Sequence, residues 1–148
     1  MAQAVYQGFH DDLEAGVVTD AVDLRAKAVM SNTTIDTEVD AQTISDFTTL
    51  DECDSVGYAE ADLTSVTVAY DDTNDRFINI DAADFDLDGG GDIVAVATRS
   101  ITRLLYYRYV DGTAANDVPY FSIDIGPFDP SGGPFDVTIH ADGIYYIS

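Results

Sequence analysis

Positive charge is scarce in this chain: 6 Lys and Arg residues face 28 Asp and Glu residues, and Lys27 is the only lysine. The formal net charge of −22 predicts repulsion from nucleic acid and from anionic membranes, so we expect neither as a partner. Cys53 is the single cysteine and has acidic neighbours, which predicts an inert thiol in a protein made inside a cell. The sequence has no apolar run of about 20 residues and no basic-then-apolar start, so neither a membrane span nor a signal peptide is predicted.

The acidic residues are mostly aspartate, because only 4 of the 28 are glutamate: Glu14, Glu38, Glu52 and Glu60. The chain is nevertheless 46% hydrophobic, which is more than a disordered acidic tail would contain, so we expect a folded domain. Repulsion within this charge would weaken the compact state in dilute buffer, but at molar salt the Debye length falls to about 3 Å. The composition therefore predicts a protein adapted to brine. The alternative is an acidic interaction surface at ordinary salt.

Alternation of apolar and polar residues predicts short β-strands along most of the chain after Gly16. The predicted strands are 21–30, 63–70, 76–80, 93–97, 101–110, 120–125, 135–139 and 144–147. We expect hairpins across the turn at 71–75 and across the Asp-Gly turn at 141–143. About seven or eight short strands indicate a mainly-β fold, either a β-sandwich or a barrel. We expect a single antiparallel β-sandwich domain over residues 1–148.

Two segments depart from this pattern. Residues 4–15 place Val5, Phe9 and Leu13 at helical spacing, which predicts a short N-terminal helix that ends at Gly16. Residues 31–57 are polar and rich in Thr and Asp, and a connection of this length is often functional. We expect it to be a long polar loop or an arm that reaches a neighbouring molecule.

A second pattern, Asp84-Phe-Asp86-Leu-Asp88-Gly, matches the opening of a calcium-binding loop. The match fails at the twelfth position, where Ala95 replaces the bidentate glutamate. In a chain this rich in aspartate we interpret the pattern as an acidic turn between strands, with specific cation binding as the alternative.

The two histidines, His10 and His140, lie outside any recognisable nucleophile elbow, zinc spacing, phosphate loop or dinucleotide motif. We therefore predict surface roles for both, no catalytic residues, no resident metal, no cofactor and no enzymatic activity.

The densest aromatic cluster lies in the predicted strand 101–110. Alternation places Tyr107 and Tyr109 on one face and Tyr106 and Arg108 on the other. One interpretation is a core face opposite a surface stabilised by arginine. The other is a subunit interface, in which the arginines between Arg99 and Arg108 dock an acidic neighbour.

Several short motifs follow one another along the chain. They are Leu-Glu-Ala-Gly at 13–16, the strand 23–30, Val-Gly-Tyr at 56–58, the Thr/Val strand 63–71, the Asp-rich segment 80–85, Tyr-Arg-Tyr-Val-Asp-Gly at 107–112, Ser-Ile-Asp-Ile-Gly at 122–126, Gly-Gly-Pro-Phe at 132–135 and Asp-Gly-Ile at 142–144. This layout resembles an uncharacterised family of β-rich proteins encoded among the structural genes of tailed viruses. Together with the brine composition, the resemblance implies a virion protein of a tailed virus that infects a halophilic archaeon.

The resemblance implies a structural role, most simply a capsid accessory subunit for decoration or a turret. Its expected partners are the major capsid protein or neighbouring virion proteins and further copies of itself. Its expected location is the virion, assembled in the host cytoplasm at high salt. A head–tail connector or tail component is the structural alternative. A carbohydrate- or cation-binding module is an alternative of another class, although the chain lacks the tryptophan that sugar-binding grooves often use.

We predict that the melting temperature rises steadily as KCl increases from about 0.1 M to molar concentration, because screening relieves repulsion within the net charge of −22. For a chain of this size, each ~1 kcal/mol of relieved repulsion should raise it by roughly 2–4 °C. Thermal unfolding followed by circular dichroism measures the effect. A neutral osmolyte is the control, since it is excluded from the surface without screening charge. A melting temperature independent of salt would contradict the prediction.

Overall fold

The computed structural model describes residues 3–71, 76–94 and 99–147. The described ranges contain ten strands: β1 (Gln3–Val5), β2 (Leu24–Met30), β3 (Ala61–Asp62), β4 (Thr67–Asp71), β5 (Arg76–Asp81), β6 (Phe85–Asp86), β7 (Ile101–Arg108), β8 (Val118–Phe128), β9 (Asp136–Val137) and β10 (Tyr145–Ile147). They also contain one α-helix, α1 (Gln7–Glu14), and a 3-10 helix at Ile44–Asp46. The prediction of a mainly-β fold with a short N-terminal helix is confirmed. More strands are found than expected, because five of them have only two or three residues.

The strands form three antiparallel sheets. The large sheet has the order β1-β8-β7-β2-β3, the small sheet has the order β10-β5-β4, and β6 pairs with β9. The strand β7 is central in the large sheet, with β8 on one side and β2 on the other. Its large side chains stand beside small ones, since Tyr106 is opposite Ala26 and Leu104 is opposite Ala28.

One face of the large sheet packs against the small sheet in a shared hydrophobic core. Tyr106 and Phe121 of the large sheet share this core with Ile80 and Tyr145 of the small sheet. The rings of Phe121 and Tyr145 stack with their centroids 4.7 Å apart. The helix α1 closes the same core, because Phe9 is fully buried against Phe121 and Tyr145. The two sheets therefore face each other as layers of a sandwich.

The opposite face of the large sheet is covered by residues 31–57, which we call the covering segment. Its side chains Ile35, Ile44 and Phe47 are buried in a second core cluster with Leu105 and Tyr107 of β7. The segment is also tied to itself, since the Glu38 carboxylate accepts hydrogen bonds from the Thr34 hydroxyl and the Thr48 amide. Interaction with the Thr48 side chain, then the hydrogen bond from Thr34, and last that from the Thr48 amide lower the pKa of Glu38. Of the two expectations for residues 31–57, the structure has a long loop packed on the sheet rather than an arm, because its few apolar residues are buried against the sheet.

Several predicted boundaries differ from the structure. The helix covers Gln7–Glu14 rather than 4–15, because Gln3–Val5 pairs with β8 as an edge strand. The predicted strand 63–70 is interrupted at Ser65, whose positive φ of 54° turns the chain from β3 towards β4. Ile93 forms only an isolated bridge to Gly133, and residues 95–97 of the predicted strand 93–97 lie outside the described residues.

The predicted pairing of 135–139 with 144–147 is wrong. The turn itself forms, because the Gly143 amide donates to the His140 carbonyl at 2.8 Å. The two strands then diverge: β9 pairs with β6, and β10 joins β5 in the small sheet. The other predicted hairpin is confirmed as a pairing of β4 with β5, and its turn residues 72–75 lie outside the described residues.

Gly57 provides a test of how the end of the covering segment is attached. Its φ is +93°, and an added Cβ would lie 2.2 Å from the Asp92 carbonyl oxygen. We predict that Gly57→Ala lowers the free energy of unfolding by about 2 kcal/mol or more, through backbone strain and this clash. Gly16→Ala is the matched control, because Gly16 also has a positive φ but has open space around it. The control should cost about 1 kcal/mol. Urea unfolding at constant KCl measures both, and equal losses would contradict the prediction.

Candidate functional site

The single lysine is the centre of a charged network on the covered face of the large sheet. The Lys27 ammonium lies 2.5 Å from Glu60 Oε2 and 3.1 Å from Glu52 Oε1. The Tyr107 hydroxyl donates to Glu60 Oε2 at 2.8 Å, and the Tyr58 hydroxyl donates to Glu52 Oε1 at 3.0 Å. These five residues, which we call the Lys27 network, connect β2 and β7 to the covering segment and to the residues before β3.

The electrostatics of the Lys27 network favour the charged forms of Lys27 and Glu60. Burial alone would raise the pKa of Glu60, but the Lys27 ammonium and the Tyr107 hydroxyl outweigh it and lower that pKa. Burial alone would lower the pKa of Lys27, but its hydrogen bond to Glu60 and the charge of Glu52 raise it. Burial, reinforced by the adjacent carboxylates, raises the pKa of Tyr58 and of Tyr107. Both hydroxyls therefore remain protonated donors at neutral pH.

Arginine continues this network towards solvent. The Arg25 guanidinium lies 3.5 Å from the centroid of the Tyr109 ring, a cation–π contact. The same group pairs with Asp23 at 3.2 Å and with Glu60 at 3.5 Å. Its hydrogen bond to Asp23 and the surrounding acidic charges outweigh the effect of burial and raise the pKa of Arg25.

Three further arginines, Arg99, Arg103 and Arg108, also bind inside the domain. Arg108 Nε lies 2.6 Å from Asp12 Oδ2, an oxygen that also accepts the Tyr120 hydroxyl. Arg103 donates to the Ser122 hydroxyl, and Arg99 pairs with Asp51 and Asp54. The Arg108 contact joins the large sheet to α1, the Arg99 contacts join the residues before β7 to the covering segment, and the Arg103 contact joins β7 to β8 within the sheet.

On strand 101–110 the packing favours the interpretation of a core face over the alternative of a subunit interface. Alternation is confirmed, because Tyr106 lies in the core with the small sheet and Tyr107 lies in the cluster under the covering segment. Both tyrosines and Arg103 are buried, however, and Arg108 is held by Asp12. A central strand covered on both faces leaves neither a tyrosine face nor a basic strip for a neighbour.

Two of the three aspartates of the calcium-like pattern, Asp84 and Asp88, accept backbone amides, and the side chains of Asp86 and Asp88 interact with each other. The buried Asp88 carboxylate accepts hydrogen bonds from the Phe135, Gly90 and Gly91 amides, and these lower its pKa, Phe135 first. Asp84 accepts from the Ile139 amide at 2.7 Å. Asp86 is exposed on β6 opposite Asp136. Across the described residues, no three His, Cys, Asp or Glu side chains are grouped closely enough to hold a metal.

The histidines lie at the surface, far from the Lys27 network in sequence. His10 is exposed on α1, where its ring is 6.0 Å from that of Phe9. The His140 side chain is 78% exposed, and its Nδ1 accepts the Asp142 amide at 3.1 Å when neutral or pairs with the Asp142 carboxylate at 3.2 Å when protonated.

Within the described ranges, no helix is long and apolar enough to cross a membrane.

Comparison with known protein families, with curated proteins and with solved structures found no match for this chain. The sequence alone does not indicate that Lys27, Glu52, Tyr58 and Glu60 form a group. The one feature of the sequence that could have indicated it is the rarity of these residue types, since the network uses the only lysine and two of the four glutamates.

We predict that Lys27→Met lowers the free energy of unfolding by about 2–3 kcal/mol, because it leaves two partly buried carboxylates without their cation. The expected loss is below that of a fully buried pair, since the side chains of Lys27, Glu52 and Glu60 are 14%, 34% and 31% exposed. Urea unfolding in molar KCl measures it.

The matched control is the triple variant Lys27→Met, Glu52→Gln, Glu60→Gln, which removes the charges together and keeps the amide oxygens as acceptors. It should recover most of the lost stability. A single variant as stable as the parent chain, or a triple variant no more stable than the single one, would show that the network is not held by its charges.

Proposed function

We propose that this chain is a non-catalytic structural subunit in the virion of a tailed virus that infects a halophilic archaeon. Within that role we propose a capsid accessory subunit, of the decoration or turret type, that binds the major capsid protein and further copies of itself. The subunit would assemble in the host cytoplasm at high salt.

The observation that carries the proposal is the separation of charge between interior and surface. Lys27, Arg25, Arg99, Arg103 and Arg108 all bind partners within the domain. Exposed acidic residues such as Asp36, Asp40 and Glu14 therefore face solvent with few cations near them. Many copies with such a surface can pack closely only where salt screens the repulsion between them. In molar brine the Debye length is about 3 Å, which is short enough for this.

The virion role rests on the resemblance together with the kind of surface the fold presents. Both faces of the large sheet are occupied by other parts of the chain, so the outer loops are the surfaces left for contact. Large exposed apolar side chains are scattered over separate loops and strand ends: Val17, Val39, Val56, Val94, Val110 and Phe128. In a symmetric shell, weak contacts of this kind are multiplied by avidity.

Two other roles remain as alternatives. A head–tail connector or tail component would use the same surfaces in a ring of few copies. A carbohydrate-binding module would present exposed aromatic rings, whereas Tyr6, Phe9, Tyr107 and Tyr120 are buried here. That burial favours the structural role over sugar binding.

Copy number in purified particles tests the proposal. We predict hundreds of copies per particle for decoration, or dozens at fivefold positions for a turret, because shell symmetry sets the count. Quantitative mass spectrometry against the major capsid protein measures the ratio, and its known shell count calibrates it. About six or twelve copies at one vertex would instead indicate the connector or tail role. Absence of the chain from particles would overturn the virion role.

A further inference from the structure

An apolar cavity lies between the large sheet and the residues that lead from β9 to β10. Its volume is about 220 Å³. Its aliphatic walls are Leu104, Ile123, Ile125, Val137, Ile139 and Ile144. Four of these side chains are only partly buried although they pack against the core: Ile123, Ile125, Val137 and Ile139. The cavity therefore presents apolar surface that a bound molecule would remove from water.

The walls of the cavity are held in place by the backbone and by ring packing. The Ile144 amide donates to the Ile80 carbonyl at 2.8 Å, which fixes the far wall to the small sheet. On the near wall, the Tyr106 ring stacks on Phe121 at 5.1 Å and meets the edge of Phe85 at 6.2 Å. Gly143 completes the turn, where an added Cβ would lie 2.7 Å from the Ile80 carbonyl oxygen. The shape is thus largely preformed, as is usual for ligand sites.

Tyr106 is one of three residues with polar side chains in the cavity lining, with Thr138 and His140. The residue is 2% exposed, and its hydroxyl makes no hydrogen bond to any residue in the described ranges. Four other tyrosines donate to side chains of the domain: Tyr6, Tyr58, Tyr107 and Tyr120. Burial raises the pKa of Tyr106, so its hydroxyl remains a donor at neutral pH. The hydroxyl is therefore free to donate to an acceptor placed in the cavity.

We propose that this cavity binds an uncharged, ring-sized apolar molecule whose single hydrogen-bond acceptor receives the Tyr106 hydroxyl proton in a hydrogen bond. An engineered apolar cavity of about 150 Å³ binds benzene, and drug-sized ligands need about 300 Å³ or more. A volume of about 220 Å³ therefore suits one six-membered ring with a short substituent. The aliphatic walls disfavour any charge, and the net charge of −22 repels anions in particular. The site is independent of the proposed virion role.

Acetophenone and ethylbenzene are matched probes, because they are alike in size and only acetophenone carries an acceptor. Binding to the full chain in molar KCl is measured by titration of amide chemical shifts. Acetophenone should shift the amides of Leu104, Ile123 and Ile125 in a saturable way, and it should bind more tightly than ethylbenzene. Tyr106→Phe should lower the affinity for acetophenone by about 2- to 10-fold and leave the affinity for ethylbenzene unchanged.

Tyr145→Phe is the control, since Tyr145 is also buried and stacked on Phe121 but does not line the cavity. It should leave the affinity of both probes unchanged. Ile125→Trp fills the cavity and should abolish binding of both. If Tyr106→Phe does not fold, the comparison of the two probes on the parent chain decides. Absence of saturable shifts would overturn the site, and equal affinity for both probes would overturn the role of Tyr106.

Discussion

The fold depends on where its few cations are placed. Arg108 attaches α1 to the large sheet through Asp12, and Lys27 attaches the covering segment through Glu52. In a chain with net charge −22, each carboxylate that is brought into the interior needs a cation or a hydrogen-bond donor beside it. Lys27, Arg25, Arg99 and Arg108 meet that need inside the domain, and exposed acidic residues such as Asp36 and Asp40 remain at the surface.

Aspartate has a second role in the same structure. The buried Asp117 carboxylate accepts hydrogen bonds from the amides of Val110, Asp111 and Gly112. Asp88, in the turn after β6, accepts hydrogen bonds from two amides of that turn and from the Phe135 amide before β9. The short aspartate side chain reaches nearby backbone amides more readily than a glutamate would. This explains why several turns here contain an aspartate that accepts backbone amides. The excess of aspartate is therefore both a surface property and a device for ordering loops.

The proposed structural role and the proposed cavity both depend on these two uses of charge. Interior cations and turn aspartates that are satisfied locally leave the large sheet packed on both faces, and such packing can hold a preformed cavity or present a defined outer surface. The Lys27 network and the Tyr106 cavity lie on opposite faces of the large sheet, under the covering segment and next to the small sheet respectively. Structural assembly and small-molecule binding would therefore use different layers of one domain.

The sequence by itself determined the mainly-β fold, the short helix near Phe9, and the opposite facing of Tyr106 and Tyr107, because these follow from local periodicity. It did not determine which strands pair: β10 leaves β9 for β5, although the Asp-Gly turn between them forms. It also did not place Lys27 beside Glu52 and Glu60, which lie 25 and 33 residues further along the chain. Only the tertiary structure decided these contacts. Strand pairing and charge pairing across such separations depend on which surfaces bury each other, and periodicity contains no information about that choice.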